Sequence, residues 1–479
     1  MPKPSKPAIA FLILLLTCAT PRANEVELPN LGNAGGSLYS SEQEYKLGQA
    51  WLRSFRSQVR TVSDPILASY LEDLIYRLAT HSQLKDRRLE LVVVHNAVLN
   101  AFAVPGGVIG VHDGLLLHAQ TEDELAAVLA HELAHLSQRH FQRGQEEAKR
   151  NRIPNMAALL ASLVILATAG GDAGIAAITA TQAAALQNRL RFSRQHEIEA
   201  DRIGMLTLVD AGIDPNAIPS MFERMQRASR YRRTPPEFLS SHPVTENRIA
   251  DSRSRAREYA VPTYTNDIEY QLMRARVQVS YADNAGAAIK RFKTALENKN
   301  GNAMAARYGL VLAYIKTNKL KEAHAALQPL LQKDPQRITF IAAQAELEAR
   351  GGNYVEAADL LKQQLRINPR NHPLTMQYAE VLLKQGNAKE TQKLLLQQVE
   401  RHPHDEHLWY LLAETHGLVG DIPAVHQARA EYFILNGVFD QAQKQLRYAL
   451  KLVQGDYLAT AKINERMQSI EKMQEAIKI

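Results

Sequence analysis

The chain has 479 residues, a formal net charge of +7 and 22% charged residues, so it is long enough for two or three domains and is not typical of disorder. A charge excess this small gives no reason to expect nucleic-acid binding, and no Walker-type phosphate-binding loop occurs. The single cysteine, Cys18, excludes a disulfide framework.

The first 23 residues have the pattern of an export signal. Two lysines precede an apolar run at 8–16, and small residues follow near Ala23. Because the run is too short to span a bilayer, we expect cleavage and an exported mature chain. A retained N-terminal anchor and a lipid anchor on Cys18 are the alternatives.

The next elements are predicted from periodicity. An apolar stripe between residues 67 and 78 predicts an amphipathic helix. Apolar runs at 88–94 and 108–111 predict two short buried strands. Thr121 and Glu124 have the spacing of a capping box, which predicts that a further helix begins there.

The segment 157–185 is apolar and Ala-rich, with a Gly-rich turn in its middle. Each apolar piece is shorter than a membrane span, which predicts a helical hairpin. It packs in the protein interior, lies over the active site or touches a membrane surface; a hairpin inserted in the membrane is a further alternative.

The C-terminal half contains an internal repeat. Prolines and alanines recur at intervals of 34 residues, namely Pro335, Pro369 and Pro403, then Ala345, Ala379 and Ala413, then Ala323 and Ala357. This period and these identities are typical of tetratricopeptide repeats. We expect roughly four helix pairs between residues 302 and 437, with less regular pairs as caps.

A candidate metal site lies on the helix that begins near Thr121. His131 and His135 are four residues apart, so both imidazoles project from one helix face, as two ligands of one zinc ion require. Glu132 is rotated by about 100° and can act as the base on a metal-bound water. Two surface histidines are the alternative explanation.

The third protein ligand is predicted from an acidic cluster. Glu197 and Asp201 are one turn apart on a predicted helix, so Glu197 can bind zinc while Asp201 hydrogen-bonds a ligand histidine. We therefore group Asp201 with Glu132 among the catalytic residues. Glu199 points elsewhere and is expected to be solvated.

The histidine motif, the segment 197–204 and the later His242-Pro243 pair with Arg248-Ile249 together resemble the M48 family of zinc peptidases. The resemblance implies an α+β gluzincin-type domain, mostly helical with a small sheet, at 24–262, followed by an all-α tetratricopeptide solenoid at 263–479. It also implies Glu197 as third ligand, one Zn²⁺ per subunit and an edge strand within 100–107 that pairs with substrate.

The arrangement of leader, peptidase segment and repeats resembles periplasmic members of this family. That resemblance implies an endopeptidase that degrades misassembled outer-membrane proteins, and contacts their assembly machinery through the repeats. A periplasmic chaperone or scaffold that uses the repeat surface without proteolysis is the alternative.

His242 has two interpretations. Near zinc, its ring would either stabilise the oxyanion or fill the fourth ligand position and keep the enzyme idle. Alternatively, His242 merely ends a turn before the next helix.

Overall fold

The computed structural model describes residues 40–144, 194–230, 237–261, 267–299 and 301–478. The leader predicted at 1–23 and the hairpin predicted at 157–185 lie outside these residues. The first group of elements is α1 (Ser41–Arg56), α2 (Pro65–Thr80), β1 (Glu90–Val94), β2 (Ala101–Val104), β3 (Val108–His112), α3 (Gly114–His118), α4 (Glu122–Ser137), α5 (Arg194–Asp210), α6 (Ala217–Arg230), α7 (Glu237–Ser241) and α8 (Glu246–Ala256).

A second group contains only helices. It comprises α9 (Ile268–Ser280), α10 (Ala285–Glu297), α11 (Ala303–Lys316), α12 (Leu320–Lys333), α13 (Ile338–Arg350), α14 (Tyr354–Ile367), α15 (His372–Lys384), α16 (Ala388–Val399), α17 (Glu406–Val419), α18 (Ile422–Leu435), α19 (Phe439–Leu452) and α20 (Tyr457–Lys478). The predicted fold class, a mostly helical domain with a small sheet followed by an all-α solenoid, is confirmed.

The three strands form one sheet in the order β1–β3–β2. β1 runs parallel to β3, and β2 runs antiparallel to it. Both strands predicted from apolar runs are present, and β2 lies within the segment 100–107. Alternate β1 residues enter different cores, because Val93 packs toward α2 and α4 whereas Val92 packs toward α1.

Helix α4 begins as the sequence predicts, although only half of the capping box forms. The Thr121 side chain accepts a hydrogen bond from the Glu124 N–H at 3.2 Å. The Glu124 carboxylate instead accepts from the Gln120 N–H at 2.6 Å. Arg224 of α6 binds both oxygens of that carboxylate, at 2.8 and 3.1 Å, and this ion pair orients it.

Helices α4 and α5 cross at very short distance, and a glycine permits the approach. A Cβ atom at Gly204 would lie 3.2 Å from the backbone of Ala130 and His131, which is tighter than ordinary van der Waals contact. The crossing therefore places the acidic cluster of α5 directly beside the histidines of α4.

Helices α11 to α18 form four antiparallel pairs, as the repeat predicts. The small residues that recur in the sequence are buried where the helices pack together. Those with less than 5% exposure are Ala323, Ala345, Ala357, Ala379 and Ala413. The recurrent prolines Pro335, Pro369 and Pro403 follow the ends of α12, α14 and α16, where proline cannot continue a helix.

The solenoid contacts the first domain at several points along its length. Arg276 of α9 donates to Asp64 Oδ2 at 2.9 and 2.7 Å, and Asp64 also caps α2. Arg56 of α1 forms an ion pair with Glu406 at 3.3 Å. At Gly437, where φ is 68°, a Cβ atom would lie 2.4 Å from a backbone oxygen of α1. The second group of helices therefore packs against α1 and the start of α2.

His112 predicts an acid-sensitive fold. Its ring is completely buried, and burial lowers its pKa to about 4, against about 6.5 in an unfolded chain. Stability from keeping this ring neutral is present above pH 6.5 and is lost as the pH falls toward 4. Between pH 7.5 and pH 5, the wild type should therefore lose about 2 kcal/mol more unfolding free energy than His112→Leu, measured by urea titration.

His81, an exposed histidine, provides the matched control as His81→Leu, which should leave the pH dependence unchanged. Equal pH dependence in the His112 variant and in the wild type would show that the buried ring does not govern acid stability.

Candidate metal centre

One face of α4 presents two buried imidazoles. His131 and His135 are 3% and 5% exposed. Their Nε2 atoms lie 3.0 Å apart. The four-residue spacing on a helix produces this convergence directly, as expected from the sequence.

Two further side chains reach the same point from other segments. Glu197 of α5 lies with Oε2 3.5 Å from His131 Nε2 and Oε1 3.6 Å from His135 Nε2. His242, which directly follows α7, lies with Nδ1 3.0 Å from Glu197 Oε1 and 3.4 Å from His131 Nε2. The structure therefore brings together all three predicted ligands and His242.

This donor set fits a zinc-sized ion. Each of these four residues offers one donor atom, and the four atoms all lie within 4.8 Å of one another, close enough to share one metal ion. Three imidazoles and one carboxylate are ligands that suit zinc. Within the described residues, no other group of three or more His, Cys, Asp or Glu side chains converges in this way.

The electrostatics of the site also favour a cation. Burial lowers the pKa of His131, but Asp201 and Glu197 outweigh burial and raise it to about 9. Burial raises the pKa of Glu197, but His242, His131 and Arg248 together hold it well below its usual range. The carboxylates that stabilise a proton here would equally stabilise a metal ion.

Glu132 lies beside this donor set without joining it. Its side chain is 2% exposed, and its Oε1 has no hydrogen-bond partner within the part of the chain that the structure describes. His242 Nε2 is 3.6 Å from that oxygen. Burial raises the pKa of Glu132, while His242, His131 and a backbone hydrogen bond from Ala103 oppose the rise. The carboxylate is therefore free to interact with a ligand in the site.

Behind His131, the residues Asp201 and Arg248 form a buried ion pair. His131 Nδ1 lies 3.0 Å from Asp201 Oδ1, so the carboxylate orients the ring from the side away from the donor atoms. The Arg248 guanidinium binds both Asp201 oxygens at 2.7 Å and Glu197 Oε2 at 2.7 Å. Asp201 does not reach the reacting side of the site, which makes it a positioning residue.

His140 lies behind His135, as Asp201 lies behind His131. His140 Nδ1 lies 2.8 Å from His135 Nδ1, and its Nε2 lies 3.3 Å from Glu199 Oε2. Glu199 also forms an ion pair with Arg143 at 2.8 Å, and His196 stacks on His140 with ring centroids 4.5 Å apart. The expectation that Glu199 is merely solvated is therefore wrong.

Sequence reasoning assigned no role to Arg248 or His140. His140 follows the end of α4, so no argument from helix faces connects it with His135. Arg248 is 47 positions from Asp201. The family pattern places Arg248 after His242-Pro243, but that position does not show which side chains it contacts.

The buried convergence of His131, His135 and Glu197 from two crossing helices, with Glu132 beside them, has the arrangement of a metallopeptidase site. The sequence matches the profile of peptidase family M48 over residues 65–256 and that of a tetratricopeptide repeat over 281–347 and 349–415. The chain belongs to peptidase family M48 and is a zinc metalloendopeptidase.

Two relatives align with this chain over nearly its whole length. The putative beta-barrel assembly-enhancing protease of Vibrio cholerae is 35% identical, with 93% of this chain and 92% of that protein covered. The beta-barrel assembly-enhancing protease of Escherichia coli K12 is 32% identical, with 94% and 92% covered. A tetratricopeptide repeat protein of Parabacteroides merdae has a TM-score of 0.28 at 13% identity, covering 57% of this chain and 99% of that one.

Arg248→Met should destabilise the fold strongly, because it leaves two buried carboxylates without their cationic partner. We expect a loss of about 3–5 kcal/mol in unfolding free energy and metal binding weakened about 10- to 100-fold, measured by urea titration and by competition with a zinc chelator. Arg248→Lys should be intermediate, because lysine keeps the charge but not the two-point geometry.

The matched control is Arg253→Met on the same helix. The Arg253 side chain is 48% exposed and pairs with Glu223, so its loss should change stability by less than about 1 kcal/mol. If the Arg248 and Arg253 variants were equally stable, the buried pairing would not support the site.

Proposed function

We propose that this chain is a zinc endopeptidase of the periplasm that cleaves unfolded or misassembled outer-membrane proteins. The observation that supports the proposal is the buried convergence of His131, His135 and Glu197 beside the unpaired oxygen of Glu132. In this proposal residues 24–262 form the peptidase domain and 263–479 the repeat domain.

His131, His135 and Glu197 would hold one zinc ion. When bound there, zinc would supply a Lewis acid that lowers the pKa of a water molecule toward neutral. Glu132 accepts the proton of the attacking water and delivers it to the leaving amine. Asp201 fixes the ring of His131 so that its Nε2 faces the site.

The outer edge of β2 is the proposed binding surface for the substrate main chain. The pairing of His112 N–H with Asn100 O means that alternate β2 residues, Ala101 and Ala103, direct their amides away from β3. Ala103 contributes a backbone hydrogen bond to Glu132, so this edge lies beside the catalytic carboxylate. A substrate strand added here would run past the reacting groups.

Client and compartment are proposed from the relatives and the sequence. The relatives are named for enhancing beta-barrel assembly, and the leader at 1–23 has an export pattern. The repeats offer a surface for the outer-membrane barrel assembly machinery. None of the helices in the described part of the chain combines the length and apolar character of a membrane span. Peripheral membrane contact through 157–185 remains a prediction outside the described residues.

Two variants separate catalysis from metal binding. Glu132→Gln should retain the fold and the zinc but reduce cleavage of an unfolded outer-membrane protein by about a thousandfold, because the proton acceptor is lost. His131→Ala should lose both zinc and activity. Zinc content by atomic absorption and cleavage by gel assay provide the readouts. Retained proteolysis in Glu132→Gln would defeat the assignment, and full zinc occupancy without turnover in the wild type would favour a chaperone or scaffold.

His242 is proposed as a fourth ligand that keeps the enzyme idle. Its Nδ1 lies among the donor atoms, and its backbone N–H donates to Phe238 O at 2.7 Å, while its ring stacks on the Phe238 ring at 4.7 Å. A histidine held in this position occupies the place where water or substrate must bind.

His242→Ala should therefore raise basal proteolysis severalfold at unchanged zinc content. Ser240→Ala, two positions earlier, is the control for disturbance of the same segment and should leave the rate unchanged. A fall in rate would instead indicate that His242 stabilises the oxyanion, and an unchanged rate would refute the idle-state proposal.

A further inference from the structure

The sheet has a second edge, on β1, that is open at one end. The Glu90 N–H donates to Gly107 O at 3.0 Å, so Glu90 and Val92 direct their amides toward β3. In a parallel pair the intervening residues face away, and these are Leu91 and Val93. Leu91 thus presents one N–H and one C=O to the outside of the sheet.

A short segment covers the far end of this edge, and at the near end the Tyr76 hydroxyl donates to Leu89 O at 3.2 Å. The Val62 N–H donates to Val93 O at 2.9 Å, and Thr61 forms an isolated antiparallel bridge with Val94. The chain then turns away into α2. Within the described residues, the outward N–H and C=O of Leu91 have no hydrogen-bond partner apart from solvent.

This open edge lies inside a cavity between the two domains. The cavity has a volume of about 620 Å³, which is within the usual range for ligand sites. Its floor includes residues 89–93, one wall is α2, and the other wall consists of the repeat turns at 370–372 and 401–407. An exposed strand edge is normally paired or blocked by charge, whereas here the repeats leave a space beside it.

Charges of both signs line the cavity, and on the repeat side Asp405 and Glu406 are paired with His372 and Arg56. Glu72 and Asp73 line the α2 side, and burial raises the pKa of both carboxyls. Arg370 and Arg401 line the repeat side. Within the described residues none of these four groups forms a salt bridge with another side chain. The walls therefore favour neither a positively nor a negatively charged guest. The N–H and C=O of Leu91 are the groups that would orient a bound segment.

We propose that this cavity binds an extended polypeptide segment that adds to the outer edge of β1 as a further strand. The guest main chain pairs with the N–H and C=O of Leu91 and continues the line begun by Thr61 and Val62. Because the recognised groups belong to the backbone, the site accepts many sequences. It lies on the edge of the sheet opposite β2 and is a non-catalytic holding site, distinct from the metal centre.

A proline substitution at Leu91 tests the proposal. Leu91→Pro removes the outward N–H without removing a hydrogen bond to β3, a position where an edge strand tolerates proline. Leu91→Ala is the matched control, because it loses the same half-buried side chain but keeps the N–H. Both are made in the full chain with Glu132→Gln, so that bound peptide is not cut, and both are checked for equal thermal stability.

The probe is a fluorescein-labelled ten-residue peptide of alternating Thr and Val with one Lys and one Asp. A photo-crosslinking benzoylphenylalanine replaces Ser69, which lines the cavity. The Leu91→Ala protein should crosslink the peptide, and Leu91→Pro should bind it about fivefold more weakly with a matching loss of crosslink. A peptide N-methylated at every residue, which has no N–H to donate from either edge, should fail in both.

Equal crosslinking by the proline and alanine variants, or none by either, would overturn the proposal. Because the readout is binding beside α2 in a protein that cannot cleave, it does not depend on whether the catalytic assignment is correct.

Discussion

The pairing of the Arg248 guanidinium with two buried carboxylates is the constraint on which the metal centre depends. Asp201 and Glu197 lie on one helix and, without a cation, would repel each other in a poorly solvated interior. The guanidinium allows both to remain charged, so that one can orient His131 while the other completes the donor set. Because Arg248 comes from α8, the site also fixes that helix, and with it the preceding His242.

The sequence predicted those parts of the site that depend only on the local geometry of one helix. His131, Glu132 and His135 lie within a single helical turn, and their arrangement follows from helix periodicity alone. Glu197 needed a resemblance to support it, because the closeness of α5 to α4 arises from a tertiary crossing that Gly204 permits. The repeat domain could be predicted because each helix pair contacts only the neighbouring pairs. Its period of 34 residues is therefore visible in the sequence.

The partners behind the ligands could not be predicted in the same way. Arg248 and His140 act through contacts between segments that no periodicity connects, and their residue types are common on protein surfaces. The β1 edge was equally hidden, because a short apolar run indicates a buried strand without showing which side remains unpaired. Only the position of the repeat turns distinguishes an open edge from a covered one.

The donor atoms of the metal centre come from three separate stretches of chain, and His131 and His242 are 111 positions apart. During synthesis, the polypeptide therefore carries no assembled hydrolytic machinery, since any single stretch supplies too few ligands. The chain can hydrolyse peptide bonds only after its tertiary structure has brought the donor atoms together. A protease of this design protects its own precursor, and the cell, through the order in which its structure forms.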